Sequence, residues 1–316
     1  MSSGQERVLK RRIHSIESTE KLTRAMDLIS ASQIVRAQAR IQASRPYVDG
    51  IEKVLEVTAS DVGPSSSIRG VPADPRRVLV VVIVADRGLC GAYNSNVLRA
   101  AERMMRTGEA EGRVYTLVTV GRRAQGFFRF HGRPIRESFV KMTERPTYED
   151  ACRVARGVEA PFLAGEVDLV QLVSTRFRSA GVQLVEVRQL LPLAPGVPPP
   201  DEEESVVPPA GAAGFYDFEP PAEELLALLV PLFAETVFFQ ALLEASASEH
   251  TARQRAMSAA TENADELATT LRRLMNRIRQ DSITNEIMEI VGGAEAMRLA
   301  GVGGASETLS AGSSEE

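Results

Sequence analysis

The chain has few of the residues that enzymes and secreted proteins use for chemistry and cross-linking. Its 316 residues include no tryptophan, three histidines and two cysteines, and only 5% are aromatic. Cys90 and Cys152 are too few for a disulfide framework or a zinc cluster, and they favour a reducing compartment. No apolar signal segment stands at the start, so we expect a cytoplasmic protein.

Long apolar runs and an excess of positive charge are also missing. The chain carries 37 basic and 42 acidic side chains, a formal charge of −5, which argues against a dedicated nucleic-acid-binding protein. The longest apolar runs, Val78–Ala85 and Leu225–Ala234, are shorter than the roughly 18–20 residues that a spanning helix needs. We therefore expect no direct membrane span.

Both ends of the chain have helical periodicity. At the N-terminus, Gln5–Thr58 would form a helix roughly 80 Å long at about 1.5 Å per residue, too long for the interior of a small domain. The C-terminal pattern begins at Pro220-Pro221 and runs to about Val291, where Gly292-Gly293 offers a stop. Apolar residues recur at three- and four-residue steps in both segments (Leu9, Ile13, Ile16, Met26 and Ile29; then Leu267, Leu271, Leu274, Ile278, Ile283, Ile287 and Ile290). We predict that the two helices pair as one antiparallel coiled coil.

The middle of the chain alternates between strand and helix patterns, which predicts a Rossmann-like α/β domain. Strands are expected at Val78–Ala85, Val114–Val120, Leu169–Ser174 and Val182–Leu190, with helices at Asn94–Arg106, Arg122–His131 and Tyr148–Leu163. The predicted organisation is a coiled-coil helix over 1–60, the α/β domain over 75–192, an acidic, proline-rich linker over 193–219, a second coiled-coil helix over 220–293 and a flexible tail over 294–316.

The turn Asp86–Asn94 after the first strand is the best candidate for a catalytic or nucleotide site. Gly88 and Gly91 form only G-x-x-G, and the chain has no phosphate-loop motif. We interpret the segment as a tight turn in which Asn94 caps the next helix. No histidine or carboxylate stands at a local spacing that would activate Cys90 or bind a metal, so no catalytic, cofactor or metal site is predicted. Two interpretations remain open from these residues: a nucleotide-binding α/β enzyme built on residues 78–94, and a coiled-coil scaffold.

Five segments closely resemble the gamma subunit of F-type ATP synthase. They are Lys21–Met26 with Ala43–Tyr47, the turn Asp86–Asn94, the stretch Ala245–Ala264, and Asn276–Gly293 (NRIRQDSITNEIMEIVGG). The segment Arg7–Arg45 carries nine basic residues against three acidic ones. This basic rod is either a solvated helix face or a shaft inside an acidic protein sleeve.

The resemblance implies a rotor. Its terminal helices would lie inside a hexamer of alpha and beta subunits, and its α/β domain would lie against epsilon and the membrane c-ring. Proton flow would turn the ring, and ATP synthesis would take place on beta, at the cytoplasmic face of a bacterial membrane with this chain as a peripheral subunit. The resemblance also implies contact or coupling roles for seven residues: Arg24, Met26, Cys90, Arg253, Arg279, Gln280 and Thr284.

Overall fold

The computed structural model describes residues 2–62, 75–192 and 218–307. The elements in chain order are α1 (Ser2–Val62), β1 (Arg77–Ile83), α2 (Tyr93–Ala110), β2 (Val114–Val120), α3 (Arg122–Phe130), β3 (Ile135–Phe139), α4 (Tyr148–Leu163), β4 (Leu169–Phe177), β5 (Gln183–Leu191) and α5 (Ala222–Glu307). The α/β class and the long terminal helices are as predicted. Most of the predicted linker, residues 193–217, lies outside the described ranges.

The central strands form one five-stranded sheet in the order β3-β2-β1-β4-β5. The first four strands are parallel and β5 runs antiparallel to β4. Helices α2, α3 and α4 connect the parallel strands, as the βαβ pattern requires. The predicted Rossmann-like arrangement is confirmed, with an antiparallel strand added at one edge.

Both faces of β1 are buried, which explains its continuous apolar sequence. Leu79, Val81 and Ile83 pack in a core with α4 and with the first part of α5. Val78, Val80 and Val82 face the opposite way and pack in a second core with α2 and α3. The early part of α5 is therefore one of the layers that cover the sheet.

Burial along α1 follows an unbroken heptad pattern. Buried or half-buried positions advance in alternating steps of four and three residues through Leu9, Ile13, Ile16, Glu20, Thr23, Asp27, Ser30, Ile34, Ala37, Ile41, Ser44, Val48, Ile51, Leu55 and Thr58. The middle of this seam is polar. The predicted apolar positions were wrong there, because Ile29 is 60% exposed while Thr23 and Ser30 are buried.

The chain divides into two compact units. The first comprises Met1–Ala25 with Ser258–Glu316, and the second comprises Met26–Met257. In the first unit, the hydroxyls of Thr23 and Thr261 lie 2.7 Å apart, and Arg272 forms an ion pair with Glu17. Residue numbers fall along α1 as they rise along α5, so the helices are antiparallel, as predicted.

The second unit has the same pairing. Ala37 and Ile41 of α1 pack with Leu243 and Ala247 of α5, together with Phe177 of β4. Gln33 and Arg40 line one cavity with Ser246 and His250, whereas Arg45 and Glu52 line another with Val237 and Glu244, so residue numbers again run in opposite directions along the two helices. The antiparallel arrangement of α1 and α5 is therefore present in each unit.

Three predictions about α5 need correction. The helix does not stop at Gly292-Gly293 but continues to Glu307, so residues 294–307 of the predicted tail are helical. The seam in the first unit follows Thr261, Ala264, Ala268, Leu271, Met275, Ile278 and Ser282. Five residues that we expected in it are 42–71% exposed: Leu267, Leu274, Ile283, Ile287 and Ile290.

The third correction concerns the apolar content of α5. Between Glu224 and Arg298, the helix contains a stretch long and apolar enough, by composition, to cross a membrane. Polar residues interrupt this stretch, so uninterrupted apolar runs in the sequence do not indicate it. Half of that stretch is buried inside the protein, as is common for the core helix of a soluble fold.

Candidate functional site

The turn after β1 is filled by its own side chains and covered by α5. Cys90 is 1% exposed and Tyr93 is 7% exposed, and both pack with Ala85 and Ala252. Gly91 has φ of +54°, and a Cβ placed there would lie 3.8 Å from the Ala256 Cβ. Glycine provides this backbone conformation without steric cost. The turn therefore supports helix packing and leaves little room for a nucleotide.

Asn94 holds the turn together, but not in the way we predicted. Helix α2 begins at Tyr93 with no side-chain cap. The Asn94 Oδ1 accepts a hydrogen bond from the Ala85 amide (2.9 Å), and its Nδ2 donates to the Cys90 Sγ (3.0 Å) and to the Arg87 carbonyl (3.3 Å). The predicted N-cap is wrong, because this side chain links the end of β1 to the turn instead.

Cys90 lies in an environment that disfavours a thiolate. Burial is the main cause that raises its pKa, and the charge of Glu249 adds to the effect. A reactive cysteine normally has a lowered pKa. The geometry therefore gives Cys90 a packing role rather than a nucleophilic one.

A buried ion pair on α5 lies against the same turn. Arg253 Nη2 donates to the Glu249 Oε1 at 2.6 Å, and the two side chains are 8% and 3% exposed. Arg253 Nη2 also lies 3.4 Å from the Gly88 carbonyl. The pair thus connects α5 to the glycine turn, while the second Glu249 oxygen is buried without a hydrogen-bond partner among the described residues.

The neighbouring turn of α5 holds a second loop, which follows β3. The Ser246 hydroxyl (3.1 Å) and the His250 Nε2 (3.3 Å) both contact the carbonyl oxygen of Glu144. Burial is the main cause that lowers the pKa of His250, so the ring is neutral near pH 7. A neutral ring with its proton on Nε2 donates to Glu144 and leaves Nδ1 free to accept from Arg253 at 3.5 Å.

The other predicted contact residues have different surroundings. Arg279, Gln280 and Thr284 are exposed on α5 in the first unit, where the Thr284 hydroxyl donates to the Gln280 carbonyl at 3.0 Å. Arg24, 64% exposed in the same unit, pairs with Glu20 at 2.9 Å. Met26 is half-buried on α1 in the second unit. Of the seven residues, only Cys90 and Arg253 share one cluster.

Comparison with known proteins identifies the family. Residues 5–297 match the family described as ATP synthase. The chain is 42% identical over 299 residues to the ATP synthase gamma chain of a Parafrankia species, with 93% of this chain and 98% of that one covered. It is 41% identical over 312 residues to the gamma chain of Saccharopolyspora erythraea, covering 94% and 99%. The chain belongs to the ATP synthase gamma chain family.

Solved structures agree with this assignment at the level of the fold. A chain from the OSCP/F1/c-ring structure of the Euglena gracilis mitochondrial ATP synthase is 17% identical to this gamma-family chain. It matches with a TM-score of 0.65 and covers 99% of both chains. A chain from the central stalk/c-ring structure of the Tetrahymena thermophila enzyme matches with a TM-score of 0.57 and 24% identity, covering 76% of this chain.

Sequence reasoning missed the acidic half of the cluster in this gamma-family chain. Glu249 precedes Arg253 by four residues, the spacing at which side chains meet on a helix. That spacing is present in the sequence, but it does not show that the pair is buried or that it lies against the glycine turn. His250, to which the sequence assigns no site, is buried and also contacts a loop carbonyl.

Proposed function

We propose that this gamma-family chain is the central rotor shaft of a bacterial ATP synthase and couples proton flow through a membrane ring to ATP synthesis. Family membership makes it a subunit of an ATP-synthesising complex. The antiparallel pairing of α1 with α5 carries the proposal, because two helices from opposite ends of one chain form a stiff element that can transmit torque.

The exposed surface of the paired helices supports an enclosing partner. Leu22, Leu28 and Val35 of α1 are each 66% exposed, and Ile287 and Ile290 of α5 are also exposed. Leu28 and Val35 stand seven residues apart and Ile287 and Ile290 three apart, so each pair shares one helix face, and contiguous exposed apolar surface is typical of protein-binding sites. Together with Arg24 and the basic residues that precede it on α1, they fit a hexamer of alpha and beta subunits whose inner surface is apolar in part and acidic in part.

The proposal assigns the chemistry to the partners. Beta subunits would bind and convert the nucleotides, and an asymmetric shaft would present a different face to each of them in turn. The α/β domain would contact epsilon and the c-ring, so that the chain works as a peripheral subunit at the cytoplasmic face of the membrane. This chain would contribute no catalytic residue and bind no cofactor.

The proposed contact residues divide into two roles. Arg24, Met26, Arg279, Gln280 and Thr284 would meet beta subunits through their accessible side chains. Cys90 and Arg253 are buried, so they would act on coupling by fixing α5 against the glycine turn, a positioning role.

Reconstitution tests the proposal. The full chain is mixed with cognate alpha and beta subunits, and the product is analysed for subunit ratio and ATP hydrolysis, with alpha and beta alone as the control. We expect one complex that contains a single copy of this chain and whose activity depends on it. A chain that stays separate and forms its own dimer through the helices would contradict the rotor and favour the scaffold alternative.

A further inference from the structure

A cavity of about 190 Å³ lies within the second unit, between α1, α5 and the loop that follows β3. Its lining includes Arg36 and Arg40 of α1, Glu144 and Arg145 of the loop, and Ser246 and His250 of α5. We call this cavity the arginine pocket. It lies outside the glycine turn, and none of the seven predicted contact residues lines it.

Hydrogen bonds from both helices fix the loop wall of the arginine pocket. Ser246 and His250 hold the Glu144 carbonyl from the α5 side. From the α1 side, Arg40 Nη2 donates to the carbonyl of Pro146. The wall is therefore formed before any ligand arrives, which lowers the entropic cost of binding.

The charge in the arginine pocket is positive and mostly uncompensated. Among the described residues, Arg36, Arg40 and Arg145 form no ion pair with a carboxylate. The one acidic lining residue, Glu144, has its carboxylate 3.7 Å from Arg87. His250 is neutral near pH 7, because burial lowers its pKa. Three arginine residues thus line one concave, solvent-accessible space with a single acid, whose carboxylate lies beside Arg87.

The size and the donors indicate the class of ligand. Ligand pockets for drug-sized molecules are about 300–1,000 Å³, and one water takes about 30 Å³, so the cavity suits a small hydrated anion better than a nucleotide. Arginine presents planar pairs of N–H donors that match the oxygens of a tetrahedral oxyanion. We propose that the arginine pocket binds inorganic phosphate. This site goes beyond the rotor function and does not depend on it.

Calorimetric titration of the purified full chain with inorganic phosphate tests the site. Chloride maintains the ionic strength, and ADP and acetate are titrated in separate arms. We expect one phosphate per chain and weaker binding of acetate. Arg36→Gln and Arg145→Gln should each weaken phosphate binding at least about tenfold, because each removes a charge-assisted hydrogen-bond donor. Arg36→Lys should weaken it less, since the charge remains but the paired donors are lost.

Arg129→Gln is the matched control, because Arg129 is exposed on α3 and lies outside the pocket. Far-UV circular dichroism of each variant checks that the fold is kept. Equal phosphate binding by the pocket variants and the control would overturn the proposal. ADP binding that is tighter than phosphate binding and lost in the same variants would overturn free phosphate as the ligand. If the free chain binds no phosphate and the pocket variants fail to assemble with alpha and beta, the pocket is a subunit contact and the proposal is wrong.

Discussion

Removing Arg253 should destabilise the chain far more than removing the whole ion pair. With nitrogen and oxygen 2.6 Å apart, the attraction between Arg253 and Glu249 is about 6 kcal/mol at an effective dielectric constant of about 20. Desolvation of each buried ion costs several kcal/mol and offsets most of this. Arg253→Met leaves Glu249 buried and uncompensated, so we expect a loss of about 3–5 kcal/mol in the free energy of unfolding. Glu249→Met/Arg253→Met should lose only about 1 kcal/mol, chiefly from the contact with the Gly88 carbonyl.

The loss in Arg253→Met should also depend on pH. Burial already raises the pKa of Glu249, and the arginine charge opposes that shift. Without the arginine, the folded state holds the carboxyl proton more strongly. The stability contributed by the protonated form is present at low pH and is lost as pH rises through the raised pKa. The deficit of the variant should therefore be larger at about pH 8 than at about pH 6.

Urea unfolding of the full chain, followed by far-UV circular dichroism at both pH values, measures these effects. Arg298→Met is the control, because the pair Arg298–Glu295 has exposed side chains and is expected to contribute under about 1 kcal/mol. If the single and double replacements of the buried pair lost equal stability, or if the deficit did not change with pH, the reasoning about an uncompensated buried charge would be refuted.

Three further changes test other parts of the structure. Burial raises the pKa of Glu244 to about 7, so the stability that its protonated form contributes is lost as pH rises from about 4.5 through 7. Glu244→Gln should therefore increase the free energy of unfolding in urea at pH 8 by up to roughly 3 kcal/mol, and this gain should vanish in acid. Gly121→Ala should lower the free energy of unfolding by more than about 3 kcal/mol, because φ is +97° and the added Cβ would lie 2.1 Å from the Val84 carbonyl oxygen. The control Gly126→Ala has open space on α3, so the same urea assay should show no loss or a gain of up to about 1 kcal/mol. Met26→Lys places a charge on the half-buried side of α1 and should lower proton pumping in reconstituted vesicles more than ATP hydrolysis; a parallel fall of both activities would contradict the coupling role of Met26.

The central sheet was predictable wherever its strands are buried on both faces. All of β1 after Arg77 is buried, as is most of β2 after Val114, and β2 was predicted with its observed bounds. β3 was missed, because Ile135–Phe139 is a short edge strand with polar residues at its centre. Such a strand forms because it pairs with β2, and the local sequence does not indicate that pairing.

The coiled-coil seam was less predictable, because some of its buried positions are polar and some apolar residues of the same helix are exposed. Thr23 and Ser30 are buried in the seam, while Ile29 is exposed. Heptad spacing continues through these polar positions, so spacing gives the seam where hydrophobicity does not. The proposed hexamer gives a physical reason, since an enclosed shaft can carry apolar residues on its outer surface.

The candidate site was only partly accessible from sequence. The resemblance identified Cys90 and Arg253 but not their burial, and the isolated motifs did not reveal that α5 covers the glycine turn. Arg36, Arg145 and His250 lie far apart in sequence, so only the fold brings them to one pocket.

Rotation of the assembled complex tests the central claim most directly. Arg129→Cys provides an exposed thiol on α3, whereas Cys90 and Cys152 are buried and free, so a bead can be attached selectively. The chain is reconstituted with cognate alpha and beta subunits held on a surface, and single beads are observed with and without ATP. We predict sustained rotation in one direction that requires ATP. An active complex whose bead stays fixed while ATP is hydrolysed would contradict it.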